Sequence, residues 1–160
     1  MHVSAGFGPK ATPGIGASLA YASAPLRVVM RGAVFAPTDQ RLEGNTNLGG
    51  EFSLWGMNLS ACAGDDLGAA EAWLCAGGRL YRLSARGFGT EGNVSQTTYV
   101  GAPVVAFDLG LHLTPYIVFV MGIEGGYAPA ASRFVIENAG TVHETGHFFG
   151  EARLELGVRF

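Results

Sequence analysis

The stretch HFFGEARLELGVRF, residues 147–160, alternates with a period of two. On an extended chain Phe148, Gly150, Ala152, Leu154, Leu156, Val158 and Phe160 share one face, and His147, Phe149, Glu151, Arg153, Glu155, Gly157 and Arg159 share the other. Every charge in the stretch falls on one side, which reads as a strand between two different media. Working back along the chain, the pattern recurs. In 116–127, Ile117, Phe119, Met121, Ile123 and Tyr127 oppose Val118, Val120, Gly122, Glu124 and Gly126. In 99–112, Val105, Phe107, Leu109 and Leu111 oppose Ala106, Asp108, Gly110 and His112, and in 27–35 Arg27 and Arg31 oppose Val28, Met30 and Val34. Segments 2–8, 14–22, 50–62 and 72–87 are less regular and complete a set of eight. In the last of these Arg79 is out of phase with Arg82 and Arg86, and a bulge is expected at Gly77-Gly78.

The connections alternate in length. After a short first one (Pro9 to Pro13), the tight turns at Ser23 to Leu26 and Leu113 to Pro115 and an intermediate turn at Ala63 to Glu71 interleave with long loops over 36–49, 87–98 and 128–146. That alternation is expected of a barrel with one end outside the cell and the other in the periplasm, and an even number of strands puts both termini at the short-turn end. At 160 residues the chain is expected to be a single domain, 1–160. Its 25 glycines disfavour a helical protein, because each interior Gly costs about 1 kcal/mol relative to Ala. A net charge of −3 opposes nucleic-acid binding. The best charge-free run, Leu109 to Ile123, is broken by His112, Thr114 and Pro115, which excludes a membrane helix. Met1-His2 is followed by a polar, glycine-containing stretch instead of a basic region and an apolar core, so no signal peptide is read there, and the chain reads as a mature domain or a fragment.

A soluble barrel points its apolar face inward and covers itself with Lys, Glu and Asp, yet this chain has one lysine, Lys10, and its strand charges are mostly Arg set among glycine and alanine. The interior of an eight-stranded barrel is just wide enough to be filled by side chains. Small residues and an Arg/Glu set suit that space, and the Leu, Val, Phe and Ile faces suit hydrocarbon. Arg27, Arg31, Arg153 and Arg159 are therefore expected to pair inside with Asp108, Glu124, Glu151 and Glu155, because an unpaired interior ion is prohibitively costly. Tyr21, Trp55, Trp73, Tyr81, Tyr99, Tyr116, Tyr127 and Phe160 supply candidates for aromatic girdles. The fold expected is all-β, an eight-stranded antiparallel up-and-down transmembrane β-barrel, with a soluble barrel or sandwich as the alternative.

On these residues the chain resembles small bacterial outer-membrane barrels of the OmpA/OmpX type, over its whole length as a pattern. Its wording is similar to outer-membrane proteins of myxobacteria. The resemblance implies that the C-terminal strand is read by the outer-membrane assembly machinery, with Leu154, Leu156, Val158 and Phe160 as the signal. Glu155 and Val158 depart from the family's form, which often has glycine and an aromatic there.

The motif H-E-T-G-H at 143–147, continued through Gly150 to Arg153, resembles a metzincin zinc signature with arginine in place of the third histidine. Two His on one helix turn would hold zinc and Glu144 would act as base. Gly146 interrupts that helix, period two begins at 147, and Arg153 cannot ligate, so the match is read as coincidental, with no metal, cofactor or catalytic residue assigned. His2-Val3-Ser4 is the one place for the His-x-Ser of lipid A deacylases, and it falls near the wrong end. Cys62 and Cys75 flank the connection 63–71 and are expected to form a structural cross-hairpin disulfide, with two free thiols as the alternative.

The function expected is that of an outer-membrane barrel with a filled interior and a structural or surface-interaction role. A narrow conduit for ions or a small ligand, or a lipid A-modifying enzyme, are the alternatives. The partners expected are outer-membrane lipid, the assembly machinery and an extracellular ligand held by loops 36–49, 87–98 and 128–146, with the protein a monomer.

Overall fold

A computed structural model describes residues 1–5, 11–23, 25–42, 45–88, 95–129, 133–136, 140–144 and 146–159. In chain order the strands are β1 (His2–Ala5), β2 (Thr12–Ser23), β3 (Leu26–Phe35), β4 (Thr38–Leu42), β5 (Asn45–Asp66), β6 (Ala70–Phe88), β7 (Ser95–His112), β8 (Ile117–Tyr127), β9 (Arg133–Ile136), β10 (Gly140–Glu144) and β11 (Phe148–Val158). Antiparallel pairing runs β1–β2–β3–β5–β6–β7–β8–β11 and returns from β11 to β1, closing a barrel of eight staves. β4 continues β3 beyond Ala36 and Pro37 and stays paired with β5, while β9 and β10 form a separate hairpin inside the longest loop. Closure is what lets such a sheet sit in hydrocarbon, because a closed ladder leaves no strand edge.

The side chains sort by the period read from the sequence. Leu154, Leu156 and Val158 point outward and are exposed, while Glu151 and Arg153, just ahead of them on the strand, point inward and are buried. Asp108 and Glu124 are buried, against exposed Phe107 and Ile123 next to them in the chain. The barrel is inverted relative to a soluble one: charge lies inside and apolar surface outside.

Three expectations need correction. The β5–β6 register runs without a shift from Gly49–Phe88 to Asp66–Glu71, so no bulge lies at Gly77-Gly78. Arg79 points inward and Arg82 and Arg86 point outward, as plain alternation requires. Gly77 instead permits close approach, since a Cβ there would lie 2.2 Å from the Leu59 carbonyl oxygen. Trp73 and Tyr81, candidates for the girdles, face inward and are buried, whereas Tyr21, Trp55, Tyr99, Tyr116 and Tyr127 face out. Finally, the connection 63–71 shrinks to the turn 67–69 because both strands run on to meet it. There Gly68 has a φ of 86° and its N–H donates to the Asp66 carboxylate at 2.9 Å.

Candidate functional site

The interior is stratified. At the long-loop end Phe35, Phe52, Leu54, Tyr81, Leu83, Val100, Val104 and Phe149 form an apolar cluster across the lumen, with the Tyr81 and Phe149 rings edge to face at 5.1 Å. Gly126 makes room for it, since a Cβ there would lie 2.2 Å from Phe149 Cζ. Alternation favours small residues and charges inside, and these inward positions carry large apolar side chains instead. The apolar plug was missed because inward and outward hydrophobics look alike wherever both faces of a strand are apolar.

Below the plug lies the ionic layer. Asp108, with no exposed surface, accepts hydrogen bonds from both Arg31 and Arg153. Glu124 accepts from Arg79 Nη1 at 2.6 Å and from Asn58 Nδ2 at 2.9 Å, and Arg153 Nη1 stands 3.7 Å from its Oε2. Arg79 Nη1 also pairs with Glu151 at 2.7 Å, whose second oxygen meets His2 Nδ1 at 2.6 Å. Glu155 lies within 3.7–4.0 Å of His2, Arg31 and Arg153. The packing needs Gly122, because a Cβ there would come 2.6 Å from Asp108 Oδ1 and 2.7 Å from Arg153 Cζ.

Towards the short turns, Cys62 and Cys75 sit directly opposite each other on β5 and β6 and form a disulfide, packed with Val29, Trp73 and Ala106. It lies inside the sheet, four residues from the end of β5, where the sequence analysis had it flank a loop. Arg27 pairs with Glu71 at 3.1 Å and lies over the Trp73 ring at 5.4 Å.

Of the expected network, Arg27, Arg31, Asp108, Glu124, Glu151, Arg153 and Glu155 are brought together inside. Arg159 is not: its side chain is 53% exposed and meets Asp66 at 3.2 Å at the short-turn rim. Alternation placed it on the inward face, but β11 ends at Val158, so the residue clears the lumen. Sequence reasoning also missed Arg79, Glu71 and His2. Arg79 was hidden by the supposed bulge; a strict period of two from Cys75 would have found it. The Asp66 carboxyl is held below the usual carboxylate range, first by the Gly68 N–H and then by Arg159.

The H-E-T-G-H motif is not helical. His143 and Glu144 belong to β10, opposite Phe134 and Arg133, and His147 precedes β11. Thr145 falls outside the described residues, as does Phe160, so the terminal residue of the assembly signal is not placed. Extended backbone cannot present the i, i+4 histidines that the zinc signature requires.

On the outside, Trp55, Arg82 and Tyr99 are cross-strand neighbours in one row near the long-loop end. Tyr21 and Tyr116 lie near the short turns. Between them the described surface is Leu, Val, Ile, Met, Phe, Gly and Ala with Pro103, a band flanked by aromatics at both ends.

No protein-family model and no curated protein sequence matches the chain. Among solved structures it is similar to Neisserial surface protein A, with a TM-score of 0.65 and 15% identity over 99% of this chain and 91% of that one. It is similar also to Ail, the attachment invasion locus protein of Yersinia pestis, with a TM-score of 0.56, again at 15% identity over 99% and 91%. At that identity the likeness is one of fold, and the fold is the closed eight-stranded antiparallel barrel.

Proposed function

We propose that the chain is a single-domain bacterial outer-membrane barrel that carries its long loops at the cell surface for contact with an external partner, and that it is neither a pore nor an enzyme. The observation that carries this reading is the inversion of faces: Leu156 is 72% and Ile123 64% exposed, while Asp108 is 0% and Arg153 2% exposed. Exposing that apolar belt to water forfeits about 25 cal/mol per Å², which a bilayer recovers. Leu154, Leu156 and Val158 lie in that belt on the last strand, as an assembly signal for outer-membrane insertion requires.

The stacked plug and ionic layer support a closed lumen and disfavour the conduit. The two similar structures, of proteins named a surface protein and an attachment invasion locus protein, support a contact role for the loops. The strand conformation of β10 disfavours zinc hydrolysis.

The test is expression in a Gram-negative host, fractionation, and gel mobility of boiled and unboiled samples. Recovery in the outer membrane, faster migration unboiled, cleavage by external protease within 36–49, 87–98 or 128–146, and silence in planar bilayers are expected. A protein soluble in plain buffer, with identical bands, refutes the location, and stepwise conductance refutes the closed lumen.

A further inference from the structure

Arg82 takes no part in the interior network. It points outward on β6 at the level of the long-loop girdle, directly between Trp55 on β5 and Tyr99 on β7. Among the described residues it forms no ion pair, and its Nε is buried without a hydrogen-bond partner. The nearest outward carboxylates along that wall, Glu51 and Asp39, stand in the row of Arg86, which directly opposes Glu51. That row is four residues farther along β6, roughly 14 Å, beyond the roughly 8 Å over which physiological salt screens exposed charges. Arg82 is thus a lone cation at the edge of an apolar belt.

The wall is shaped on both sides of it. One row farther from the belt come the hydroxyls of Ser53, Ser84 and Thr97, with Ser84 Oγ 3.1 Å from Thr97 Oγ1. One row into the belt Met57, Leu80 and Gly101 are cross-strand neighbours, and in the next row Gly78 lies between Leu59 and Pro103. These apolar residues line a shallow outward groove of about 700 Å³. The glycines make it a trough, since a Cβ on Gly78 or Gly101 would meet nothing within 4 Å. The order along the wall is therefore hydroxyls, cation, trough.

We propose that this strip of β5 to β7 binds a phosphorylated membrane lipid, with its phosphate on Arg82 and an acyl chain lying over Gly78 and Gly101. This rests on the membrane reading above. Trp55 and Tyr99 fix Arg82 at the depth where headgroups lie. The guanidinium fork matches a phosphate with two parallel N–H···O bonds, and burial of Nε without an acceptor is relieved by such a partner. One row, about 7 Å, separates Arg82 from the Ser84–Thr97 pair, which keeps one hydroxyl proton free to donate to the same phosphate. Charge complementarity selects the occupant, because an apolar partner seated there would leave the cation buried and unpaired.

The experiment uses the full chain with Trp73→Phe, which leaves Trp55 as the single tryptophan, refolded into phosphatidylcholine nanodiscs. Phosphatidic acid with brominated acyl chains is the probe, brominated diacylglycerol the phosphate-free control, and quenching of Trp55 the readout. An about 10-fold preference for phosphatidic acid over diacylglycerol is expected, the least that charge-assisted hydrogen bonds supply. It should vanish in Arg82→Gln and persist in part in Arg82→Lys. No preference in the parent chain, or the same preference in Arg82→Gln, overturns the proposal. Loss of the preference on adding millimolar inorganic phosphate assigns the site to the free ion and overturns the lipid. Gly78→Phe fills the trough and should lower the preference; an unchanged value overturns the acyl seat. If Trp73→Phe does not fold, native mass spectrometry of wild type and Arg82→Gln makes the same comparison by counting retained phosphatidic acid. The unboiled gel band verifies folding of each variant, and failure of the membrane reading would show separately, in that band and in fractionation.

Discussion

Asp108 holds the interior together. It has no exposed surface, accepts from Arg31 and Arg153 at once, and stands 4.0 Å from Arg27. Asp108→Asn keeps the shape and removes the charge, so three guanidinium groups lose their shared anion. Removing one partner of a buried ion pair costs about 3–5 kcal/mol, because the other stays buried and uncompensated. Glu155→Gln is the internal control. Its ion-pair distances are 3.7–4.0 Å, its short contact is a hydrogen bond from the exposed Ser18 Oγ at 2.8 Å, and its side chain is 16% exposed, so a loss under about 1 kcal/mol is expected. Urea titration of the refolded protein in phospholipid, read by the unboiled gel band and by the fluorescence of Trp55 and Trp73, measures both. The midpoint should fall steeply for Asp108→Asn at unchanged slope. Adding Arg153→Gln to it should return about 1–2 kcal/mol, since the pair shares one interaction. The reasoning is refuted if Asp108→Asn lies within about 1 kcal/mol of wild type, or if Glu155→Gln is the more damaging change.

Gly122→Val should abolish formation of the fast-migrating band, since the new Cβ would stand 2.6 Å from Asp108 Oδ1; Gly78→Ala, with nothing within 4 Å, should leave it unchanged. Replacing both Cys62 and Cys75 by Ser releases a cross-link between residues 13 apart and should cost about 3 kcal/mol, visible as a lower urea midpoint that reductant reproduces in wild type. Met121→Arg, in the middle of the outward belt, should cost about 2–4 kcal/mol in lipid, whereas Tyr99→Arg at the rim should cost at most about 1 kcal/mol. Because the Asp66 carboxyl is lowered in the fold, its contribution is present above the ordinary carboxylate range and disappears as pH falls through the lowered value. Proteolysis at the 67–69 turn should therefore quicken in acid, and Asp66→Asn should show that fast cleavage at neutral pH without the acid dependence.

Much of the wall was legible because membrane strands repeat one simple rule. On β8 and β11 most inward residues are glycine or charged, with Val118, Val120 and Phe149 as exceptions, and the outward ones are apolar or glycine, so period and polarity largely agree. On β5 and β6 they part: Phe52, Leu54, Tyr81 and Leu83 are apolar and inward. Polarity carried no information about direction there, and the plug could be seen only once the register was fixed. Arg79 was misjudged for a related reason, because Arg82 and Arg86 sit outward near the rim and imposed the wrong phase. Arg159 shows the other limit, where alternation continues in the sequence after the strand has ended. Pairing partners lay beyond sequence altogether, since Asp108 meets Arg31 and Arg153 from strands far apart in the chain.

β5 is 22 residues long and β6 is 19, against 11 for β8 and for β11. At about 3.4 Å per residue the stretch of β5 from Trp55 back to Gly49, paired with β6, gives a stalk about 20 Å long beyond the girdle. The described surface is thus lopsided, with a ladder-braced lip over β4–β7 and the small β9–β10 hairpin against it at β4. A partner seizing that lip would meet backbone already ordered by cross-strand hydrogen bonds, and would spend little conformational entropy on it. Binding there should show a small entropic penalty, and residues can be exchanged at the lip's tip without disturbing the seal beneath.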